Sequence, residues 1–68
     1  MKQTVRVLNY IKDFGSITTK EAFNDLGVAR LASRIHELNQ MGYNITKVME
    51  KGQNRYGETT HYARYRFE

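Results

Sequence analysis

The feature that most constrains this chain is a very short turn between two helix-forming segments, centred on Gly27. Residues 18–26 open with Thr18 and Glu21, the spacing of a capping box, in which two side chains bond backbone amides at the start of a helix. A second helix is predicted over residues 29–41, and Gly27 suits the left-handed conformation that ends the first. Two helices joined so tightly cannot lie antiparallel, so we expect them to cross steeply.

The predicted helix 29–41 has one apolar side. Leu31, Ile35 and Leu38 recur at i, i+4 and i+7, which places them on the same face. We therefore expect this face to be buried and the opposite, polar and basic face to be exposed. The residues on or beside that opposite face are Ala29, Arg30, Ser33, His36, Glu37 and Gln40.

The segments on either side complete the predicted fold. Residues 4–14 carry apolar side chains at helical spacing, namely Val7, Leu8, Ile11 and Phe14. Helix 18–26 is expected to bury Ala22, Phe23 and Leu26. Residues 45–51 and 61–67 have strand character, with a long polar loop between them. Three helices followed by a two-stranded β-hairpin, with a short third strand near Ile17, predict an α+β winged helix-turn-helix in one domain, 1–68.

Composition excludes several classes of function. The 68 residues include no cysteine, so disulfides and thiolate metal sites are excluded. His36 and Glu37 match the start of a zinc-protease helix motif, but the second histidine would fall at Gln40. We expect no enzyme activity, no metal and no cofactor. The apolar runs are too short to span a bilayer and the first residues are unlike a signal peptide, so we expect a cytoplasmic protein with no membrane partner.

The net charge of +4 favours a polyanionic partner such as nucleic acid, although solubility alone also explains such a charge. The stretches SITTKEAFNDLGVARLASRIHELNQMGYNI and YARYRF together resemble a family of small helix-turn-helix domains found in bacteriophages and prophages and presumed to bind DNA. The most specific part is residues 30–38 followed by Gly42, Tyr43 and Ile45. The resemblance implies a winged helix of phage or mobile-element type.

A helix in the major groove presents its first half to the base edges, and arginine to guanine is the commonest specific contact. The candidate DNA contacts on this helix are therefore Ala29, Arg30, Ser33, Arg34 and Glu37. Arg34 and Glu37 are three residues apart and have an alternative role as a surface ion pair.

Outside this helix, Thr19 and Lys20 begin the second helix, whose amide end favours a phosphate. Lys51 and Arg55 belong to the basic tip of the wing, the hairpin predicted over 45–51 and 61–67, and an arginine there can meet phosphates or enter a minor groove. Arg64 shares the outer face of this hairpin with basic and aromatic residues, where pairing with Glu50 is the alternative to binding a partner.

The sequence thus predicts a DNA-binding protein that regulates transcription or assists recombination or excision. A domain of this size binds DNA weakly as a single copy, so we expect a homodimer or cooperative binding on double-stranded DNA. The alternative is a protein-interaction module of a mobile element that binds or inhibits host machinery.

Overall fold

The computed structural model describes residues 2–68. Its elements in chain order are α1 (Gln3–Phe14), β1 (Ile17–Thr18), α2 (Thr19–Leu26), α3 (Leu31–Gln40), β2 (Ile45–Gln53) and β3 (Thr59–Phe67). The α+β prediction is confirmed, and so is the short third strand at Ile17. No helix among these residues is both long enough and apolar enough to cross a membrane.

The strands form one antiparallel sheet in the order β1-β3-β2. β1 pairs with the C-terminal half of β3, where Ile17 lies opposite Tyr65. β2 pairs with β3 along its whole length, from Ile45 opposite Phe67 to Gln53 opposite Thr59. The sheet is therefore three strands wide beside the helices and two strands wide farther out, where the wing extends beyond β1.

The helices and the inner part of the sheet share one hydrophobic core. It contains, from the helices and their turn, Val7, Leu8, Ile11, Ala22, Val28, Leu31, Ile35 and Leu38, and from the strands Ile17, Ile45 and Tyr65. Burying a side chain as large as leucine or isoleucine contributes roughly 1.5–3 kcal/mol relative to leaving it exposed. The core confirms the predicted orientation of α3, since Leu31, Ile35 and Leu38 are 1%, 5% and 1% exposed.

Two phenylalanines predicted to face the core are instead exposed. Phe14 is 71% exposed and Phe23 is 63% exposed. Phe14 is the last residue of α1, and its ring packs only at the helix surface, with its centroid 4.7 Å from that of Tyr10. In α2 the small side chain of Ala22 is fully buried, and Phe23 follows about 100° farther around the helix, outside the contact with the core.

The turn between α2 and α3 uses Gly27 and Val28. Gly27 has φ +69° and ψ +24°, the left-handed conformation predicted for it, and its amide donates to the carbonyl of Phe23 at 3.1 Å. The next amide, of Val28, donates to the carbonyl of Ala22 at 3.0 Å, and the Val28 side chain is fully buried. These bonds satisfy the last carbonyls of α2 and anchor the chain before it enters α3.

Helix α3 is shorter than the predicted 29–41. Arg30 has φ −122° and ψ 65° and is the N-cap, so that helical geometry begins at Leu31. Ala29 and Arg30 therefore precede the helix, because the chain uses these residues to change direction after Gly27. The helix ends at Gln40, and Met41 is its C-cap.

The strands of the hairpin are longer than predicted. The prediction ended the first strand at residue 51 and began the second at residue 61, whereas β2 ends at Gln53 and β3 begins at Thr59. The connecting loop is therefore 54–58. Strand pairing satisfies backbone amides and carbonyls whatever the polarity of the side chains, so polar residues extend the wing beyond the core.

Candidate nucleic-acid interface

The side of α3 that faces away from the core is exposed. Ser33 and Arg30 were predicted as DNA contacts and both are exposed, as are His36 and Gln40 on the same side. Because this surface is formed by a helix anchored through its opposite face, its side chains are free to enter a groove while the helix stays in place. His36 and Gln40 were placed on this side by the helical period, but they were not among the predicted contacts.

The N-terminus of α3 differs from that of α2. At α2, the Thr18 hydroxyl accepts from the amide of Glu21 at 3.2 Å, and the Glu21 carboxylate accepts from the amide of Thr18 at 2.9 Å. At α3, the N-cap Arg30 makes no side-chain capping bond, and the first turn contains no acidic residue. The amide end of α3 thus follows an arginine and has no carboxylate in its first turn, an arrangement that suits an external anion.

Arg34 and Glu37 form the ion pair that was the alternative to DNA contact. Arg34 Nη2 lies 2.8 Å from Glu37 Oε1, and their side chains are 27% and 45% exposed. Arg34 Nη1 also reaches Gln3 Oε1 of α1 at 3.5 Å, whereas its Nε is buried without a hydrogen-bond partner among the described residues. The pair links α3 to the start of α1 and partly neutralises the arginine, so Arg34 is less available to a phosphate than Arg30.

Thr19 and Lys20, the predicted contacts in α2, are exposed on one wall of a cleft of about 450 Å³ between α2 and the hairpin. Tyr62 and Gln53 lie on the hairpin side of this cleft. The Glu21 carboxylate occupies the amide end of the helix. A phosphate at this position would therefore depend on the Lys20 ammonium more than on free amides.

The guanidinium of Arg64 is bound to other side chains of the same protein and is not a free cation on the outer face of the hairpin. Its Nε donates to Glu50 Oε1 at 2.7 Å, and its Nη1 donates to Ser16 Oγ at 2.9 Å and lies 3.7 Å from Glu21 Oε1. The hydrogen bond from Arg64 holds the pKa of Glu50 below its usual value, and the same bond raises the pKa of Arg64. The predicted pairing with Glu50 is confirmed, and it joins both strands of the wing to the start of α2.

The tip of the wing is an ordered turn organised by the side chain of Asn54. Asn54 Oδ1 accepts from the amides of Tyr56 at 2.9 Å and Glu58 at 3.0 Å, and its Nδ2 donates to Glu58 Oε1 at 3.1 Å. Arg55 lies inside this turn and is exposed, and the adjacent Tyr56 is 84% exposed. These side-chain bonds stabilise the backbone conformation of the turn that contains Arg55 in the absence of a partner.

Lys51 lies farther than Arg55 from the tip of the wing. It is exposed on β2, where its partner across the ladder is His61 of β3. Both residues were predicted to lie at the tip of the wing, but only Arg55 is in the connecting loop, whereas Lys51 lies on the paired strand β2. No group of three or more histidine, aspartate or glutamate side chains positioned to hold a metal ion occurs in the described part of the chain.

The comparison with known families agrees with this architecture. A family model described as a winged helix-turn-helix domain matches residues 2–68. No curated protein and no solved structure matches the chain. The match covers every element described above, from α1 to the end of β3. The chain therefore belongs to the winged helix-turn-helix domain family.

Proposed function

We propose that this protein binds double-stranded DNA in a sequence-specific manner, with α3 in the major groove. The observation that carries the proposal is the exposed side of α3, which begins at an uncapped N-terminus flanked by Arg30. Helix-turn-helix proteins present this part of the second helix to base edges. Arg30 and Ser33 are the proposed contacts there, with Ala29 small enough to allow close approach.

Residues of two other elements contact the flanking DNA backbone. Lys20 and Thr19 lie at the start of α2, and Lys51 and Arg55 lie on the wing, all of them exposed. Phosphate contacts of this kind set the position of a protein on DNA without selecting a sequence. Arg34 and Glu37 contribute if their ion pair opens on the DNA.

The biological role we propose is regulation of transcription, or assistance in recombination or excision, in a bacteriophage or prophage. This role is supported by the resemblance of residues 30–38, followed by Gly42 and Tyr43, to helix-turn-helix domains of phages. In this role the protein acts in the cytoplasm of a bacterial host, on the nucleoid when DNA-bound. A single domain contacts DNA through only about 600–1,000 Å², so a homodimer or cooperative binding on neighbouring sites strengthens the complex.

Duplex binding at several salt concentrations tests the proposal. Bound duplexes are selected from a random pool, and the affinity of the enriched site is measured by fluorescence anisotropy. If the three cations Lys20, Lys51 and Arg55 contact phosphates, the affinity falls about 40-fold between about 50 and 200 mM salt. Arg30→Ala is expected to lower affinity for the selected site and to reduce discrimination against other sequences by about 1–3 kcal/mol.

Lys12→Ala is the matched control, because it removes one positive charge from an exposed position at the end of α1. It should leave affinity for the selected site close to that of the wild type. Failure to retain any duplex at low salt would refute the proposal and would leave interaction with a host protein as the function to test.

A further inference from the structure

The outward side of α1 carries an aromatic surface at the edge of the core, against which Tyr10 and Leu26 are packed while remaining partly exposed. Tyr10 and Phe14 pack against each other there, and Phe14 is 71% exposed. Together with Leu26 of α2 and the polar residues Arg6, Asn9 and Asp13, they line a shallow groove of about 280 Å³. An exposed phenylalanine beside a second aromatic ring is costly to leave in water, which makes this groove a candidate contact surface.

The charges on this surface have a definite order along the helix. Arg6 and Asp13 are seven residues apart, which places them almost in line on one side of α1 and about 10.5 Å from each other. They are too far apart to bond each other, and no ion pair among residues 2–68 includes either of them. Arg6 makes only a long hydrogen bond, of 3.4 Å, from Nη1 to the carbonyl of Leu26.

We propose that this side of α1 binds the same side of α1 in a second copy of the chain. The two helices run antiparallel about a two-fold axis that passes between Asn9 and Tyr10. Residues 6 and 13 are equally distant from that axis, so Arg6 of each copy meets Asp13 of the other. A two-fold interface requires such self-complementarity, because each patch contacts its own image.

The charge order favours a second copy over a partner of one charge sign, since one end of the groove, at Arg6 or at Asp13, would always repel such a partner. The contact is small compared with the roughly 800 Å² per partner of a standard interface, so the dimer is weak and dissociates on dilution. The surface lies on α1, and the exposed side of α3 is free in the dimer. This inference goes beyond DNA binding and is tested without DNA.

Sedimentation equilibrium over a range of concentrations provides the test. Arg6→Asp gives a chain with acidic residues at both positions, and Asp13→Arg gives one with basic residues at both. Each variant alone places like charges together at both ends of the interface, and self-association is expected to weaken about tenfold or more. An equimolar mixture of the two variants restores opposite charges at both ends, so the mixture is expected to associate more strongly than either component alone.

Lys12→Asp is the control, since it reverses an exposed charge about 120° around α1 from the proposed contact. It should leave self-association unchanged, and circular dichroism checks that every variant keeps its helical content. The proposal is overturned if the wild type stays monomeric up to about 1 mM, or if the mixture of variants associates no better than its components. A dimer that is insensitive to Arg6→Asp and Asp13→Arg also overturns it, because it must then use another surface.

Discussion

Replacing Gly27 with alanine tests the turn on which the relation of α2 to α3 depends. Gly27 has φ +69°, and among the described residues no heavy atom lies within 4 Å of the position that a Cβ would occupy. The cost of Gly27→Ala is therefore backbone strain without a steric clash. An L-residue in the left-handed region costs roughly 1–2 kcal/mol. For a domain of this size that corresponds to a decrease in Tm of roughly 4–16 °C, measurable by thermal denaturation followed by circular dichroism.

Chemical synthesis of the chain with D-alanine at position 27 provides a matched control. D-alanine favours positive φ and has fewer conformations than glycine in the unfolded chain, so this variant should be at least as stable as the wild type. The reasoning is refuted if L-alanine leaves Tm unchanged, or if D-alanine lowers Tm as much as L-alanine does. Either result would mean that the turn does not hold a left-handed residue with open space beside it.

Three further predictions concern stability. Ile35→Ala removes a side chain that is 5% exposed and should lower the free energy of unfolding by about 2–5 kcal/mol in urea titrations, whereas Arg30→Ala should leave it nearly unchanged. The pKa of Glu50 is lowered by its bond from Arg64, so this group stabilises the fold above the ordinary carboxyl pKa and stops doing so as pH falls through the lowered value. The difference in stability between wild type and Glu50→Gln should accordingly shrink on acidification, and a constant difference would contradict this. The Tyr10 hydroxyl donates to Asp25 Oδ2 at 2.6 Å, and this hydrogen bond, with burial adding to it, raises the pKa of Tyr10 to about 12. The contribution of Tyr10 to stability is therefore complete below pH 10 and is lost between pH 10 and 12. Comparing denaturation of wild type and Tyr10→Phe across that range measures the loss.

The candidate interface was predictable to the extent that it depends on local pattern. The helical period identified which side of α3 is apolar, and the burial of Leu31 and Leu38 agrees with it. For Arg34, however, the helical period is compatible with both contact to DNA and an ion pair with Glu37. Its contact with Glu37 follows from i, i+3 spacing, but its reach to Gln3 depends on how α1 and α3 pack, which spacing within one helix cannot specify.

The same limit explains the predictions that were wrong. Phe14 and Phe23 have the hydrophobicity of core residues, yet no element within residues 2–68 covers them. Whether an apolar side chain is buried depends on the size and position of what lies opposite it, which a one-dimensional pattern does not contain. The long strands of the wing were missed for a related reason, because backbone pairing between β2 and β3 continues where side-chain alternation has already faded.

The amino-acid sequence by itself determined the local events of this fold: the capping box at Thr18 and Glu21, the glycine turn, and the apolar stripe of α3. Those depend on interactions between residues a few positions apart, so the pattern is sufficient. Only the tertiary structure decided which cationic side chains bind other residues of the chain, as Arg64 binds Ser16 and Glu50. Ser16 and Arg64 are 48 positions apart, and folding alone brings them together.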